Sequence, residues 1–135
     1  MEEKLDFTAL KNSINSLERA ISSSEKFLDD YIYETLRAGV IQNFEVCYEL
    51  CWKFMERILY NFYGVDSKAL FRKDLFRKVY EKDLIENPII WFEFYKARNK
   101  TAHTYDAEIA EEVYEISKKL LVEAKSFLNK IEEVL

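Results

Sequence analysis

The sequence predicts an all-α protein, specifically an up-and-down four-helix bundle with one additional short helix. Glycine and proline, which sheet-rich folds need at their frequent turns, number only two and one in 135 residues. Apolar residues make up 49% of the chain, and they recur at the three- and four-residue intervals of a helix face. We expect one domain, residues 1–135, because a chain of this length can bury its own core.

The first predicted helix carries its apolar residues four, three and four positions apart, which places them on one face. These residues are Leu10, Ile14, Leu17 and Ile21. The serines of "ISSSEK" are expected to end this helix. Ser23 or Ser24 is then placed to cap the next helix.

The second predicted helix begins at Glu25 and contains the strongest apolar periodicity in the chain. Its main stripe consists of Val40, Phe44, Cys47, Cys51, Phe54, Ile58 and Phe62. Gly64 follows the stripe, as is typical of a helix C-cap. A continuous helix from 25 to 63 would be about 58 Å long. Because that length exceeds a compact domain of this size, we expect a bend or break near Gly39.

A short third helix is predicted within "VDSKALFRKDLFRKVYEKDLI", residues 65–85. Its outer face is basic and consists of Lys68, Arg72, Lys73, Arg77 and Lys78. Two interpretations fit this face. It is either a solvated surface or a docking patch for an acidic or nucleotide-bearing partner.

Two further helices complete the predicted bundle. Asn87 and Pro88 mark the start of "PIIWFEFYKARNKTAH", since proline is favoured at the first helical position. The beginning of this helix is apolar almost all round, which indicates burial on several sides or contact with another chain. Asp106 is placed to cap the last helix. The apolar stripe of that helix consists of Ile109, Val113, Ile116, Leu120, Phe127, Ile131 and Leu135.

The charge balance argues against nucleic acid as the default partner. The chain has 20 basic and 25 acidic residues and a net charge of −5, whereas proteins that coat phosphate backbones are usually basic. A local basic site stays open as an interpretation.

Several features indicate a cytoplasmic protein without cofactors. The start, "MEEKLDF", lacks the apolar region of a signal peptide, and no apolar run reaches the length of a membrane span. Cys47 and Cys51 are one helical turn apart and are expected to be buried thiols rather than a disulfide. No further metal ligands lie near them, so no metal site is predicted.

Polar residues run beside the main stripe of the second helix. They are Gln42, Glu45, Glu49 and Lys53. One interpretation is a surface stripe with an ion pair one turn apart, which contributes little stability. The other places Glu45 and Glu49 beside Arg98 of the fourth helix, because a partly buried carboxylate needs a cationic partner.

The single histidine lies in "ARNKTAHTYD", residues 97–106. Asn99 and His103 are four residues apart and share a helix face, whereas Arg98 is about 140° from His103 around an ideal helix. Arg98 and His103 therefore converge poorly within one chain but could converge across a symmetric dimer. Histidine can transfer protons and arginine can bind phosphate, a pair that suits metal-independent RNA cleavage. The alternative is a histidine that caps the carbonyls of a helix end.

Two separate segments resemble the nucleotidyltransferase substrate-binding protein family of the HEPN superfamily. "RNKTAHTYD" resembles the R-X4–6-H motif, and "AGVIQNFEVCYELCWKFMERILYNFYG" resembles the matching helix of the family. The matching positions in the helix are Arg37, Ile41, Gln42, Phe44, Glu45, Tyr48, Glu49, Leu50, Trp52 and Lys53. The later matching positions are Trp91, Arg98, Asn99, His103, Tyr105 and Asp106.

The resemblance implies a four-helix bundle that forms a homodimer and works with a separate small nucleotidyltransferase subunit. In this family the bundle is thought to supply a substrate site that the minimal transferase lacks, similar to the helical domain of aminoglycoside nucleotidyltransferases. Related HEPN proteins include ribonuclease toxins that a transferase neutralises by adding AMP to a tyrosine. Tyr105 stands at that position.

Three functions follow as hypotheses. The first is a non-catalytic substrate-binding subunit, whose groove is lined by Glu45, Glu49, Lys53, Arg98, Asn99 and His103; the acidic charge and the carboxylates favour it. The second is a ribonuclease toxin that acts on RNA, with Arg98 and His103 catalytic across a dimer and Tyr105 modified; the complete R-X4-H-X-Y motif favours it. The third is a scaffold in which the motif is structural.

Overall fold

Five α-helices account for most of residues 5–135, which are the residues that the computed structural model describes. The helices are α1 (Thr8–Glu25), α2 (Tyr33–Tyr63), α3 (Arg72–Glu81), α4 (Pro88–Lys100) and α5 (Ala107–Val134). Two single 3-10 turns accompany them, and no strand occurs within this part of the chain. The prediction of an all-α bundle with four substantial helices and one short helix, α3, is confirmed.

The longest helix, α2, forms the centre of the packing. It packs against α1 and α5, while α4 lies against α3 and α5. The buried apolar residues form one continuous core. Trp91 of α4 joins three helices within it, because its ring centroid lies 5.9 Å from Phe76 of α3, 5.1 Å from Phe94 and 6.2 Å from Phe127 of α5.

The predicted starts of α4 and α5 and the predicted C-cap of α2 are present. Asn87 caps α4, since its side-chain oxygen accepts a hydrogen bond from Ile89 N at 2.9 Å, and Pro88 occupies the first helical position. Asp106 caps α5 by accepting from Glu108 N at 2.9 Å. Gly64 ends α2 in the left-handed conformation, with φ of 65°. Each of these features depends only on residues that are neighbours in sequence.

The predicted role of the serines after α1 is wrong. Ser23 and Ser24 lie inside α1, which continues to Glu25, so neither caps the next helix. The Ser24 hydroxyl donates to the Ile21 carbonyl at 2.7 Å and bonds the Tyr114 hydroxyl of α5 at 2.8 Å. Ser24 is buried, and this pairing across the core satisfies its hydroxyl within the helix.

The predicted break near Gly39 is also wrong. The interruption lies earlier, in turns over residues 26–32, and α2 begins at Tyr33 rather than Glu25. Backbone bonds such as Asp30 N to Phe27 O, at 3.0 Å, shape these turns. α2 then continues through Gly39 for 31 residues, about 46 Å. α2 is therefore shorter than the predicted helix, because the segment before it forms turns instead of helix.

The remaining structural predictions concern the cysteines and membrane spans. Cys47 and Cys51 are free and fully buried, as predicted. None of the helices in residues 5–135 combines the length and apolarity that crossing a bilayer requires.

Alanine substitution at the two glycines is expected to change the free energy of unfolding in opposite directions. Gly64→Ala is expected to lower the free energy of unfolding by about 1 kcal/mol, because a β-carbon is strained at a φ of 65°. Gly39→Ala is expected to raise it by about 0.5–1 kcal/mol, because Gly39 is inside a helix and an added β-carbon meets no atom within 4 Å. Urea denaturation measures both. Equal changes of the same sign would contradict these backbone conformations.

Candidate functional site

A groove of about 730 Å³ opens along α2, beside the end of α4 and the start of α5. Its volume is in the range of small-molecule sites. Ile41, Leu50 and Ala110 supply apolar lining. Three carboxylates and three cations also line the groove, namely Glu34, Glu45, Glu49, Arg37, Lys53 and Arg98. The groove is therefore charged on its walls but close to neutral as a whole.

The spacing of α2 explains why three of these side chains share one wall. Glu45, Glu49 and Lys53 recur every four residues, so they stand one above another on the helix. The adjacent face of α2 carries buried core residues such as Phe44 and Cys51. Burial of that face fixes the rotation of α2 and turns the polar wall toward the groove.

Arg98 of α4 reaches across the groove to both glutamates. Its Nη1 lies 2.9 Å from Glu45 Oε2 and its Nε lies 3.3 Å from Glu49 Oε1. The same Nη1 donates to Thr101 Oγ1 at 2.8 Å, and Thr101 Oγ1 donates to the Arg98 carbonyl. The side chains of the ion pairs are about a third exposed, 36% for Arg98 and 33% for each glutamate. Their position is fixed, yet ligand can reach them.

A second connection holds Glu49 from the other side. Trp52 Nε1 donates to Glu49 Oε2 at 3.0 Å, so both oxygens of this carboxylate are engaged. The Trp52 ring is covered by the Arg72 guanidinium, 3.2 Å from the ring centroid, and by Lys53 Nζ at 5.7 Å. Glu49 is thus fixed between α4 and the start of α3. Fixed polar groups of this kind favour specific ligand binding.

Sequence reasoning missed a third cluster at the other end of the groove. The Tyr33 hydroxyl hydrogen-bonds both oxygens of Glu111, at 2.9 and 2.8 Å, and Arg37 Nη1 lies 3.0 Å from Glu111 Oε2. Burial and the Glu111 carboxylate raise the pKa of Tyr33 well above its ordinary value. The only local signal was that Tyr33 and Arg37 are one turn apart. Glu111 lies on α5, 74 residues after Arg37.

The structure separates the predicted site residues into two groups. Arg98 lies in the groove with Glu45, Glu49 and Lys53. Asn99, His103 and Tyr105 are exposed and are not among its lining residues.

His103 ends a 3-10 turn, Thr101–His103, and its ring centroid lies 6.1 Å from that of Tyr105 in an edge-on arrangement. Tyr105 is 86% exposed. The intervening Thr104 lines the groove, so both rings flank a residue of its wall.

Metal ligands are not assembled in the part of the chain that the structure describes. Within residues 5–135, no group of three or more histidine, cysteine, aspartate or glutamate side chains is placed to hold an ion.

Comparison with known proteins gives consistent results over nearly the whole chain. A sequence model of the family called nucleotidyltransferase substrate binding protein like matches residues 5–133. A Haemophilus influenzae protein named "Probable ribonuclease HepT" is 33% identical over 140 residues, covering 98% of this chain and 96% of that protein.

Two solved structures share the fold. One, from Haemophilus influenzae and described as the fold of a substrate-binding domain of a nucleotidyltransferase, has a TM-score of 0.83 at 30% identity and covers 94% of this chain and 99% of its own. A protein from Thermus thermophilus has a TM-score of 0.67 at 22% identity, covering 84% and 97%. With the family match spanning the helices that form the groove, the chain belongs to the nucleotidyltransferase substrate-binding-protein-like family.

Proposed function

We propose that this chain is the substrate-binding subunit of a two-component nucleotidyltransferase, in which a separate small subunit transfers the nucleotide. The family match and the substrate-binding-domain fold support this function. The observation that carries it is the groove of about 730 Å³, in which Arg98 holds Glu45 and Glu49 in fixed positions. We place this function in the cytoplasm, where the free thiols of Cys47 and Cys51 would stay reduced.

The groove suits a ligand with both donor and acceptor groups. Arg98 and Arg37 are each paired with carboxylates, so neither presents an uncompensated charge. Lys53 and Glu34 are exposed and can turn toward a ligand at modest entropic cost. Asn99 is exposed beside Arg98 and would contact the ligand or the transferase outside the groove.

Reconstitution tests this function. The purified chain is mixed with a small nucleotidyltransferase subunit from the same organism, labelled ATP and a small-molecule extract of that organism. We expect label to enter a small molecule only when both proteins are present. Equal labelling of the same compound by the transferase alone would contradict a substrate-binding function.

A ribonuclease is the second candidate, because the relative from Haemophilus influenzae bears that name and because His103 and Tyr105 are exposed. In this proposal the chain is a toxin and a homodimer. The His103 of one protomer would transfer protons while the Arg98 of its partner stabilised the charged phosphate. Arg98 would then have to serve RNA while held by Glu45 and Glu49. Tyr105 would be the residue that receives AMP.

One variant separates the two functions. The substrate-binding function predicts that the purified chain leaves RNA intact and that its expression alone does not arrest growth. RNA cleavage or growth arrest that His103→Ala abolishes would establish the ribonuclease instead. Mass spectrometry of the chain after co-expression with the transferase shows whether Tyr105 has gained AMP.

A further inference from the structure

A second surface, next to the groove, combines cations with aromatic rings. We call it the α3 face and define it by Trp52, Lys53, Phe71, Arg72, Lys73, Phe92 and Lys96. Arg72 and Lys53 cover the Trp52 ring, as described above. Lys73 Nζ and Lys96 Nζ lie 5.7 and 5.4 Å from the centroid of Phe92, which stacks on Tyr95. Three helices thus contribute to one surface.

Positive charge is concentrated in the chain segment that contains α3, which contributes Arg72 and Lys73 to this face. Residues 68–82 carry six cations and two carboxylates, a local charge of +4, although the whole chain has a net charge of −5. The cations of this segment are Lys68, Arg72, Lys73, Arg77, Lys78 and Lys82. The other residues are therefore more acidic than the chain as a whole, and the positive potential is confined to this segment. A local potential of this kind selects a partner with a complementary acidic surface.

The start of α3 breaks a rule of helix stability. Arg72 and Lys73 occupy its first two positions, Asp74 follows them in the same turn, and Phe71 at the N-cap provides no side-chain hydrogen bond. Cations at a helix N-terminus face the positive end of the helix dipole, and an uncapped start leaves amide groups without partners. Asp74 compensates only one of the two cations, and the guanidinium of Arg72 is instead held on the Trp52 ring. Departures from local helix rules of this kind are expected at functional surfaces.

Phe71 supplies an apolar anchor at this face. It is 82% exposed, although it is next to Arg72, whose guanidinium is fixed on Trp52. An exposed aromatic ring beside a preorganised arginine is the composition of an interface hot spot. Lysines around it would form the polar rim.

We propose that the α3 face docks the transferase subunit through an acidic surface that has an apolar pocket for Phe71. This inference rests on the proposed function. The face is continuous with the groove, because Lys53 lines the groove and Trp52 donates to Glu49. A transferase seated on Phe71 and Arg72 would therefore lie beside the groove opening and could reach a substrate held there.

A protein partner fits this face better than an RNA strand. A strand requires cations along an extended track, whereas the cations here form one compact cluster where three helices meet, on a chain with a negative net charge. The faces of Trp52 and Phe92 already carry cations, which leaves Phe71 as the exposed ring.

The test measures, by isothermal titration calorimetry, the affinity of the chain for the small nucleotidyltransferase subunit used in the reconstitution. The double variant Phe71→Ala/Lys73→Glu is expected to raise the Kd at least about tenfold. The wild-type Kd is expected to rise with salt concentration. The control Tyr31→Ala/Lys119→Glu makes matched changes at exposed positions in the 26–32 turns and on α5, and should retain the wild-type Kd.

The outcomes separate this inference from the function on which it rests. Equal Kd values for wild type and the double variant would overturn the α3 face as the docking site and leave the two-component function intact. A wild-type chain that does not bind the transferase would overturn the two-component function itself. If the double variant lost binding to oligouridine while its transferase affinity stayed unchanged, the inference would be overturned in favour of RNA. Thermal denaturation verifies that the exposed substitutions leave the fold intact.

Discussion

Arg98→Ala is expected to reduce nucleotide transfer by the reconstituted pair about 10²-fold, because the ligand would lose the fixed wall of the groove. Arg98 is the residue through which α4 holds both Glu45 and Glu49. Without it, two carboxylates one helical turn apart repel each other and move apart. The free energy of unfolding should change by less than about 1 kcal/mol, since ion pairs that are a third exposed contribute little. Labelled ATP measures transfer, and thermal denaturation measures stability.

Two further variants test whether transfer requires the planar shape of the Arg98 side chain or only a positive charge on α4. Arg98→Lys keeps the charge but not the planar group that reaches two carboxylates, so we expect only partial activity. Lys100→Ala removes a cation from the exposed end of the same helix, where Lys100 pairs with Glu112 at 2.8 Å, and should leave transfer unchanged. Full activity of Arg98→Ala would show that the groove does not depend on this residue.

Trp91→Ala is expected to lower the free energy of unfolding by about 3–5 kcal/mol. Trp91 is fully buried and contacts aromatic rings of α3, α4 and α5. Its truncation would leave a cavity where these helices meet, and the melting temperature should fall by about 10 °C or more. Chemical and thermal denaturation followed by circular dichroism measure both quantities.

Trp91→Phe is the matched control for this substitution. It keeps an aromatic ring and removes the indole N–H, which is buried and has no hydrogen-bond partner. Removing an unsatisfied donor offsets part of the lost packing, so we expect a decrease of no more than about 1.5 kcal/mol. Similar losses for Trp91→Ala and Trp91→Phe would contradict the central position of this ring.

The starts of α4 and α5 and the end of α2 could be predicted because their causes are local. A proline after Asn87 and an aspartate before the last apolar stripe determine backbone conformation through residues two or three positions away. Gly64 acts in the same way, through its own φ angle. Such features depend little on where the rest of the chain lies.

The errors around α1 and α2 have a nonlocal cause. Serines commonly cap helices, but Ser24 is instead satisfied by Tyr114, which is 90 residues away. Its buried position extends α1 by one turn and moves the connection to residues 26–32. Gly39 then remains inside a helix, where its cost to stability is small compared with the packing of α2.

The candidate site likewise combines features with local causes, which the sequence predicts, and features with nonlocal causes, which it does not. The common wall of Glu45, Glu49 and Lys53 follows from four-residue spacing within one helix. The pairs of Arg37 with Glu111 and of Arg72 with Trp52 join separate helices and depend on their packing. Spacing also indicated that Arg98 and His103 diverge within one chain, and the structure places only Arg98 in the groove.

The central claim, that the groove holds the substrate, is tested most directly by filling the groove. Ala38 is an exposed residue of its wall and takes no part in the ion pairs described above. Label transfer to a small molecule is measured for the reconstituted pair with Ala38→Trp, and with Ser22→Trp, an exposed position of α1, as control. We expect Ala38→Trp to reduce labelling to the level of the transferase alone, while Ser22→Trp retains full labelling. Full labelling with Ala38→Trp, in a folded protein, would contradict the claim.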